Sequence, residues 1–391
     1  MTTAAREVWI TGVGLLSALG EGRDTHLDAL ADPAAILAAR DSARFAPYHI
    51  HPIRAFALDR FMPRRGDQRA MGPWMHYGVH AAGLALTEAG VLGDPALLAR
   101  THVHAAAAGG ERDTVLDQEI LAALADPGAA PDLLNRKLTE GLRPTAFLAQ
   151  LSNMFAGNLS IVLGVAGSSR TFMGEEPAGI EAVRVAWRRV QAGQGDLFLV
   201  AASYNAERED TLLLHQSGGR LLKGPWRGLW DRPSGGVALG SMGAALVLEA
   251  ADHARARGAS PVARLAGVSH GWSGRDPGMA AKAAGPVPEG VAHVISGASG
   301  AAPITQEEHA FLASHRPTLA ARGIAAAIGH GIEAAFPATL AIAAWCCAAG
   351  RLPPPLDADA VEAPAEGMVR RIAATSWGVR RGEGLGIVEA V

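Results

Sequence analysis

The chain has 391 residues, 49% of them hydrophobic and 19% charged, with a formal net charge of −3. That is enough apolar material for one large core or two fused α/β halves, and the mildly acidic balance argues against nucleic acid as a partner. The two cysteines, Cys346 and Cys347, are neighbours in an apolar stretch, which excludes a disulfide framework and reads as a pair of reduced core thiols.

The N-terminal residues carry no apolar segment of a secretory leader. No unbroken apolar run reaches the roughly 18 residues of a membrane span, so none is expected and the cytoplasm is the expected compartment. Glu7 to Ser17 reads as a buried strand ending in a glycine-rich turn. Its Gly12-x-Gly14 pair lacks the third glycine and the immediate helix of a dinucleotide site. Residues 32–70 read as irregular, with Arg60, Arg64, Arg65 and Arg69 clustered there. They form either a solvated loop or a surface for an acidic partner or a phosphate. Met75 to Gly90 reads as a helix, with His76 and His80 one turn apart but no third metal ligand nearby. Thr101 to Ala105 alternates like a strand, and Arg112 to Phe147 alternates loop with helix.

The chain is organised around the next stretch. Ser169 to Met173 has strand character, Gly174 to Pro177 is a sharp turn, and Ala178 to Gln191 has helical spacing. Asp196 to Ala202 is then an apolar strand. A strand, a tight turn and a helix form an elbow whose turn residue faces free N–H groups at the positive end of a helix dipole. Gly243 to Glu249 is a further strand, and Ala251 to Gly258 a short helix. Pro261 to Ser269 opens what reads as a second round of the same order, with a strand near Ala292 to Ile295.

The elbow resembles the nucleophile elbow of the β-ketoacyl-(acyl carrier protein) synthases, condensing enzymes of the thiolase superfamily. The glycine Gly179 and the acidic Asp196 set the register without a gap. The resemblance implies an α/β fold of thiolase type: a duplicated βαβαβαββ unit in five layers, αβαβα, with halves at residues 1–250 and 251–391. In this register Glu176 occupies the position of the nucleophilic cysteine. The first catalytic histidine of the family falls on Ser296, with Glu307 at the distance of the family's glutamate. The second falls on His330, within Gly329 to Ala335, and is retained. The family's lysine falls on Ala325, and a glutamate in its glycine cluster on Ser241. Phe172, Met173, Gly179, Ser376, Trp377 and Gly378 match positions bordering the substrate tunnel, and Arg380 and Arg381 depart from the family's closing glycine-rich loop.

A carboxylate is a poor acyl acceptor, and an ionised Glu176 would repel a malonyl carboxylate. Loss of even one oxyanion donor typically costs about 100- to 1,000-fold in rate. The resemblance therefore implies a non-catalytic subunit of chain-length-factor type. It would pair with an active ketosynthase as a heterodimer, or form a homodimer, through the strand at Thr171 to Met173. Substrate would arrive on the phosphopantetheine of an acyl carrier protein, without a resident cofactor or metal. The alternative is an acyl-thioester enzyme using Glu176 as general base, which needs a raised carboxylate pKa. Within the old pocket, Glu175 or Glu176 is expected to pair with Arg170, Arg380 or Arg381.

Overall fold

The computed structural model describes residues 5–128, 130–142, 146–272, 279–315, 319–365, 367–380 and 382–391. The first half supplies β1 (Val8–Ser17), β2 (His102–Ala106), β3 (Ser169–Phe172), β4 (Leu197–Tyr204) and β5 (Met242–Ala250). The second supplies β6 (Ala263–Gly271), β7 (His293–Ser296), β8 (Ala320–Gly323), β9 (Arg371–Trp377) and β10 (Glu383–Glu389).

The first set lies in the order β3-β2-β4-β5-β1 and the second in the order β8-β7-β9-β10-β6. These are the same permutation. In both, the first two pairings of that order are parallel and the last two antiparallel. The chain has thus folded one topology twice, and the two sheets join through β1 and β6, where Trp9 faces Arg264 and Ile10 faces Ala263.

The helices complete the layers. α1 (Pro73–Glu88) and α2 (Asn153–Leu163) cover the outer face of the first sheet, and α4 (Met279–Ala284) and α5 (Ile304–Ala313) that of the second. Between the sheets lie α3 (Glu176–Gln191) and α6 (Ala335–Ala349), which touch strands of both halves and each other. This is the five-layer thiolase-like arrangement. It explains the sequence of α6, which is apolar all round because it meets sheet on both sides. Together with the preceding turn, Ile332–Ala349 is long and apolar enough to cross a membrane, at mean hydropathy 1.6, although its apolar run is interrupted. Its residues are 89% buried inside the protein, so it is the central core helix.

α3 is amphipathic instead. Ile180, Val183, Trp187 and Val190 are buried at helical spacing, while Arg184 and Arg188 turn away from the core. Trp187 donates its indole N–H to the carbonyl of Leu265 on β6 at 3.0 Å, tying the halves together.

Three sequence expectations shift in detail. β2 does not alternate: Val103 to Ala106 are all buried, because α2 and α3 cover both faces. Residues 32–70 include a short helix, Pro33–Ala38, capped by Asp32, and another, Arg65–Ala70. The turn at the elbow is tighter than Gly174 to Pro177, since Glu176 and Pro177 already belong to α3. Proline suits that first turn because its missing N–H has no intrahelical partner to lose.

Candidate functional site

The elbow is strained where it turns. Glu175, the residue before α3, has φ 60° and ψ −144°. A left-handed backbone at a non-glycine residue costs about 1–3 kcal/mol and persists only where surroundings impose it. Arg380 forms an ion pair with the Glu175 carboxylate at 3.3 Å. Gly179, one turn into α3, lies so close to the turn before α6 that a Cβ would sit 2.3 Å from the carbonyl oxygen of Glu333. The elbow and the His330 segment are thereby pressed together.

At their contact, Glu176 and His330 form a pair. The Nε2 of His330 lies 2.7 Å from Oε1 of Glu176, and both side chains are 1% exposed. The same oxygen accepts the backbone N–H of Val379 at 3.2 Å. Burial by itself pushes the Glu176 carboxyl up. The hydrogen bond and charge of His330, with backbone N–H groups, outweigh burial and hold it below the usual carboxylate range. His330 is fixed by its backbone, which donates to Ala238 at 2.9 Å and accepts from Gly240 at 3.0 Å. His330 is thus committed to Glu176.

The other positions singled out by the resemblance are equally engaged. Ser296, at the end of β7, donates to Glu308 at 2.7 Å and accepts the N–H of Ala298 at 3.1 Å. Thr375 on β9 donates to the same Glu308 oxygen at 2.5 Å. The carboxylate that Ser296 reaches is Glu308, the neighbour of Glu307. On α5 Glu308 is fully buried toward β7 and β9, whereas Glu307 is only half-buried. Burial pushes the Glu308 carboxyl up to about 7. Ala325, the expected counterpart of the family's lysine, is buried and offers no charge. The space left beside His330 is about 10 Å³, lined by Met242, Gly297, Ile324, Ala325 and Thr339 among others. That is room for one water at most.

The remaining predicted residues surround this contact. Trp377 is buried, with its ring 5.4 Å from that of Phe311. Ser376 is buried with an unpartnered hydroxyl. Gly378 donates to the carbonyl of Gly382 at 3.2 Å, shaping the turn that brings Val379 onto Glu176. The ring of Phe172 lies tilted against that of His104 at 5.2 Å, and Met173 is 64% exposed beyond the end of β3. Ser241 accepts the N–H of Ala206 at 3.0 Å and donates to Glu207 at 3.1 Å. Arg170 is exposed on the edge strand, and Arg381 lies outside the described residues. Arg64, Arg65 and Arg69 are exposed, and Arg60 pairs with Glu21 at 2.8 Å. His76 faces the carbonyl of Gln68 at 2.9 Å while His80 bonds to Glu21, so the two rings serve different partners. Among the described residues no cluster of three or more metal-ligating side chains occurs.

Sequence reasoning missed Glu333. It is buried beside the elbow, one carboxylate oxygen has no partner, and burial pushes its pKa up to about 8. The available signal was a lone acid at the head of the otherwise apolar run 332–349. Glu333, Glu175, Tyr204 and His215 border a cavity of about 360 Å³ on the other side of the elbow.

A twice-folded sheet with a strained elbow between its layers defines a condensing-enzyme scaffold. The profile of "Beta-ketoacyl synthase, N-terminal domain" matches residues 5–254, and the chain belongs to the β-ketoacyl synthase family. It is 28% identical over 280 residues to "3-oxoacyl-[acyl-carrier-protein] synthase 2" of Vibrio cholerae serotype O1, and 27% identical over the same length to that of Vibrio harveyi. Each match covers 69% of this chain and 63% of the relative, so the chain matches less than two thirds of those proteins. Among solved structures, "The ishigamide ketosynthase/chain length factor" superposes with a TM-score of 0.80 at 19% identity, covering 99% of this chain and 100% of that one. A β-ketoacyl synthase from Burkholderia phymatum STM815 gives 0.76 at 19% identity, with the same coverage of both chains. These structural likenesses establish the fold.

Proposed function

We propose that this chain is a non-catalytic, chain-length-factor-type member of the family, acting with an active ketosynthase in acyl chain elongation. The observation that carries the reading is the buried Glu176–His330 pair. It fills the nucleophile position with a carboxylate and engages the one retained carbonyl-binding group. The gap of about 10 Å³ beside it holds one water at most. In this reading the growing chain is carried on the phosphopantetheine of an acyl carrier protein, in the cytoplasm, and no resident cofactor takes part. The partner is an active synthase in a heterodimer, or a second copy of this chain, joined through the exposed edge of β3. The structural neighbour that is itself a ketosynthase/chain length factor supports that partnership. The direction of the Glu176 pKa weighs against the general-base reading, which needs a raised value.

Mass spectrometry of the intact protein tests this, after incubation with acyl- and malonyl-carrier protein, alone and with a co-encoded synthase. The expected result is no covalent adduct and no product from this chain alone, with longer product when the synthase is present. Turnover by this chain alone, abolished by Glu176→Ala, would overturn it. Glu176→Cys is expected to remain without condensation product, because Ser296 and Ala325 still supply no donor pair for the carbonyl.

A further inference from the structure

A groove of about 540 Å³ opens on the surface between the helices Arg23–Leu30 and Pro33–Ala38 on one side and the extended segment 354–358 on the other. The short helix Ala325–Ile328 separates it from the gap beside His330: Ala326 lines the groove, while Ala325 and Ile328 line the gap. The walls are apolar, with Leu30, Ile36 and Leu37 from the helices and Pro354, Pro355 and Leu356 from the segment. Leu37 is 61% exposed, so apolar surface is left open. The two prolines fix their own φ angles, which makes that wall stiff.

Charge enters the lining at Arg40. Its guanidinium carbon lies 4.1 Å from the centre of the Trp226 ring, a cation–π contact with another residue of the groove. The contact orients the guanidinium and leaves its planar fork of N–H groups for a bidentate acceptor. Among the described residues no carboxylate or carbonyl accepts from the Arg40 side chain. Burial lowers its pKa with nothing to offset it. Arg232 approaches the same ring at 5.0 Å and is 3% exposed, and it donates to the carbonyls of Arg227 and Gly236. His49 and His51 meet the edge of Trp226 but add no charge, since burial and the two arginines push both down, His51 to about 3. Asp357 is the acid of the lining, and its carboxylate accepts the backbone N–H groups of Trp230 at 3.2 Å and Ala358 at 2.9 Å. Two guanidiniums thus meet one carboxylate, and the surplus positive charge sits at Arg40.

A cation drawn partly out of water without an anion is a charge lacking its complement. Beside it lies a concave apolar surface with few polar groups, the composition of a small-molecule site and a volume in its range. We propose that this groove binds a small organic monoanion, a compact hydrocarbon body carrying one carboxylate, with Arg40 donating to the carboxylate and the Leu37 and Pro354 walls covering the body. The site stands whether or not the chain is catalytically silent.

The test is a saturation-transfer NMR titration of the full chain with cyclohexanecarboxylate at pH 7. Cyclohexylmethanol is the matched probe without the charge, and acetate the one without the body. Cyclohexanecarboxylate is expected to bind at least about tenfold more tightly than the alcohol, the worth of one charge-assisted hydrogen bond. It should exceed acetate by at least about tenfold, from the apolar area covered. Arg40→Gln should bring the carboxylate to the level of the alcohol and leave the alcohol unmoved. Leu37→Glu, three residues before Arg40, offers the guanidinium a rival carboxylate and should weaken the probe at least about fivefold. Leu37 is exposed and Arg40 partly so, and unchanged melting temperatures check that both variants fold. An alcohol that binds as tightly would overturn the proposal in favour of an uncharged apolar groove, and acetate that binds as tightly in favour of a bare surface cation. Binding of none of the three, or carboxylate binding that ignores both substitutions, would overturn it outright. Sedimentation of the wild type as an oligomer that Leu37→Glu disperses would overturn it in favour of a second copy of this chain seated in the groove.

Discussion

The two sides of the elbow carry comparable chemistry in opposite states. On one side, Glu176 and His330 are paired, fixed and sealed, with about 10 Å³ remaining. On the other, Glu333 and His215 border about 360 Å³ and each keeps an unpartnered polar atom. Both acids are buried, yet burial produces opposite protonation. Glu176 has an imidazole 2.7 Å away and is held below the usual carboxylate range. Glu333 has Glu176 and Glu175 as its charged neighbours, which add to the burial penalty and push it up. A partner, more than depth, decides whether a buried acid ionises.

The largest expected effect comes from breaking the sealed side. His330→Ala leaves the Glu176 charge buried and unpaired, and should cost about 3–5 kcal/mol in urea unfolding. The double substitution Glu176→Leu with His330→Leu should recover most of that loss, because two apolar side chains replace both charges at once. A double variant as unstable as the single one would show that the pair is held by more than charge compensation.

Next comes the pH response of the open side. The folded pKa of Glu333, about 8, exceeds the ordinary 4.5. The folded state therefore binds the proton more tightly than the unfolded one. The contribution of Glu333 to stability is complete below pH 4.5 and is lost as pH rises from there to about 8. Glu333→Gln should flatten that part of the melting-temperature profile. Glu176 has the opposite sign: its contribution is present above its ordinary pKa of 4.5 and falls away in acid. A profile unchanged by Glu333→Gln would assign the neutral-pH slope elsewhere, with Glu308, raised to about 7, the first place to look.

The smallest effect belongs to the rim the two sides share. Arg380 and Glu175 are paired at 3.3 Å with side chains 53% and 33% exposed. Arg380→Ala should change stability by no more than about 1 kcal/mol in thermal unfolding, as solvent screens such pairs. A larger loss would mean that this contact supports the strained backbone at Glu175.

Much of the scaffold was legible before any coordinates. The apolar strands at Glu7 to Ser17, Asp196 to Ala202 and Gly243 to Glu249, and the elbow register set by Gly179, all lie where periodicity and resemblance put them. Local pattern was misleading where burial is two-sided. Thr101 to Ala105 alternates in residue type yet is buried on both faces. The run 332–349 is apolar on all sides because two sheets of its own chain enclose it. The spacing pointed to Glu307 and could not show that its neighbour Glu308 is the acid α5 turns toward Ser296, since a helix moves each successive side chain by about 100°.

The sequence by itself determined the family and the elbow, because these are properties of order and residue type along a short stretch. Only the tertiary structure decided which groups meet at the elbow. Glu176 and His330 are 154 positions apart, and Glu308 meets Thr375 across 67. Pairing, burial and the protonation that follows depend on which distant groups arrive within about 3 Å. The packing of α3 and α6 between two sheets settles that, and local spacing does not encode it.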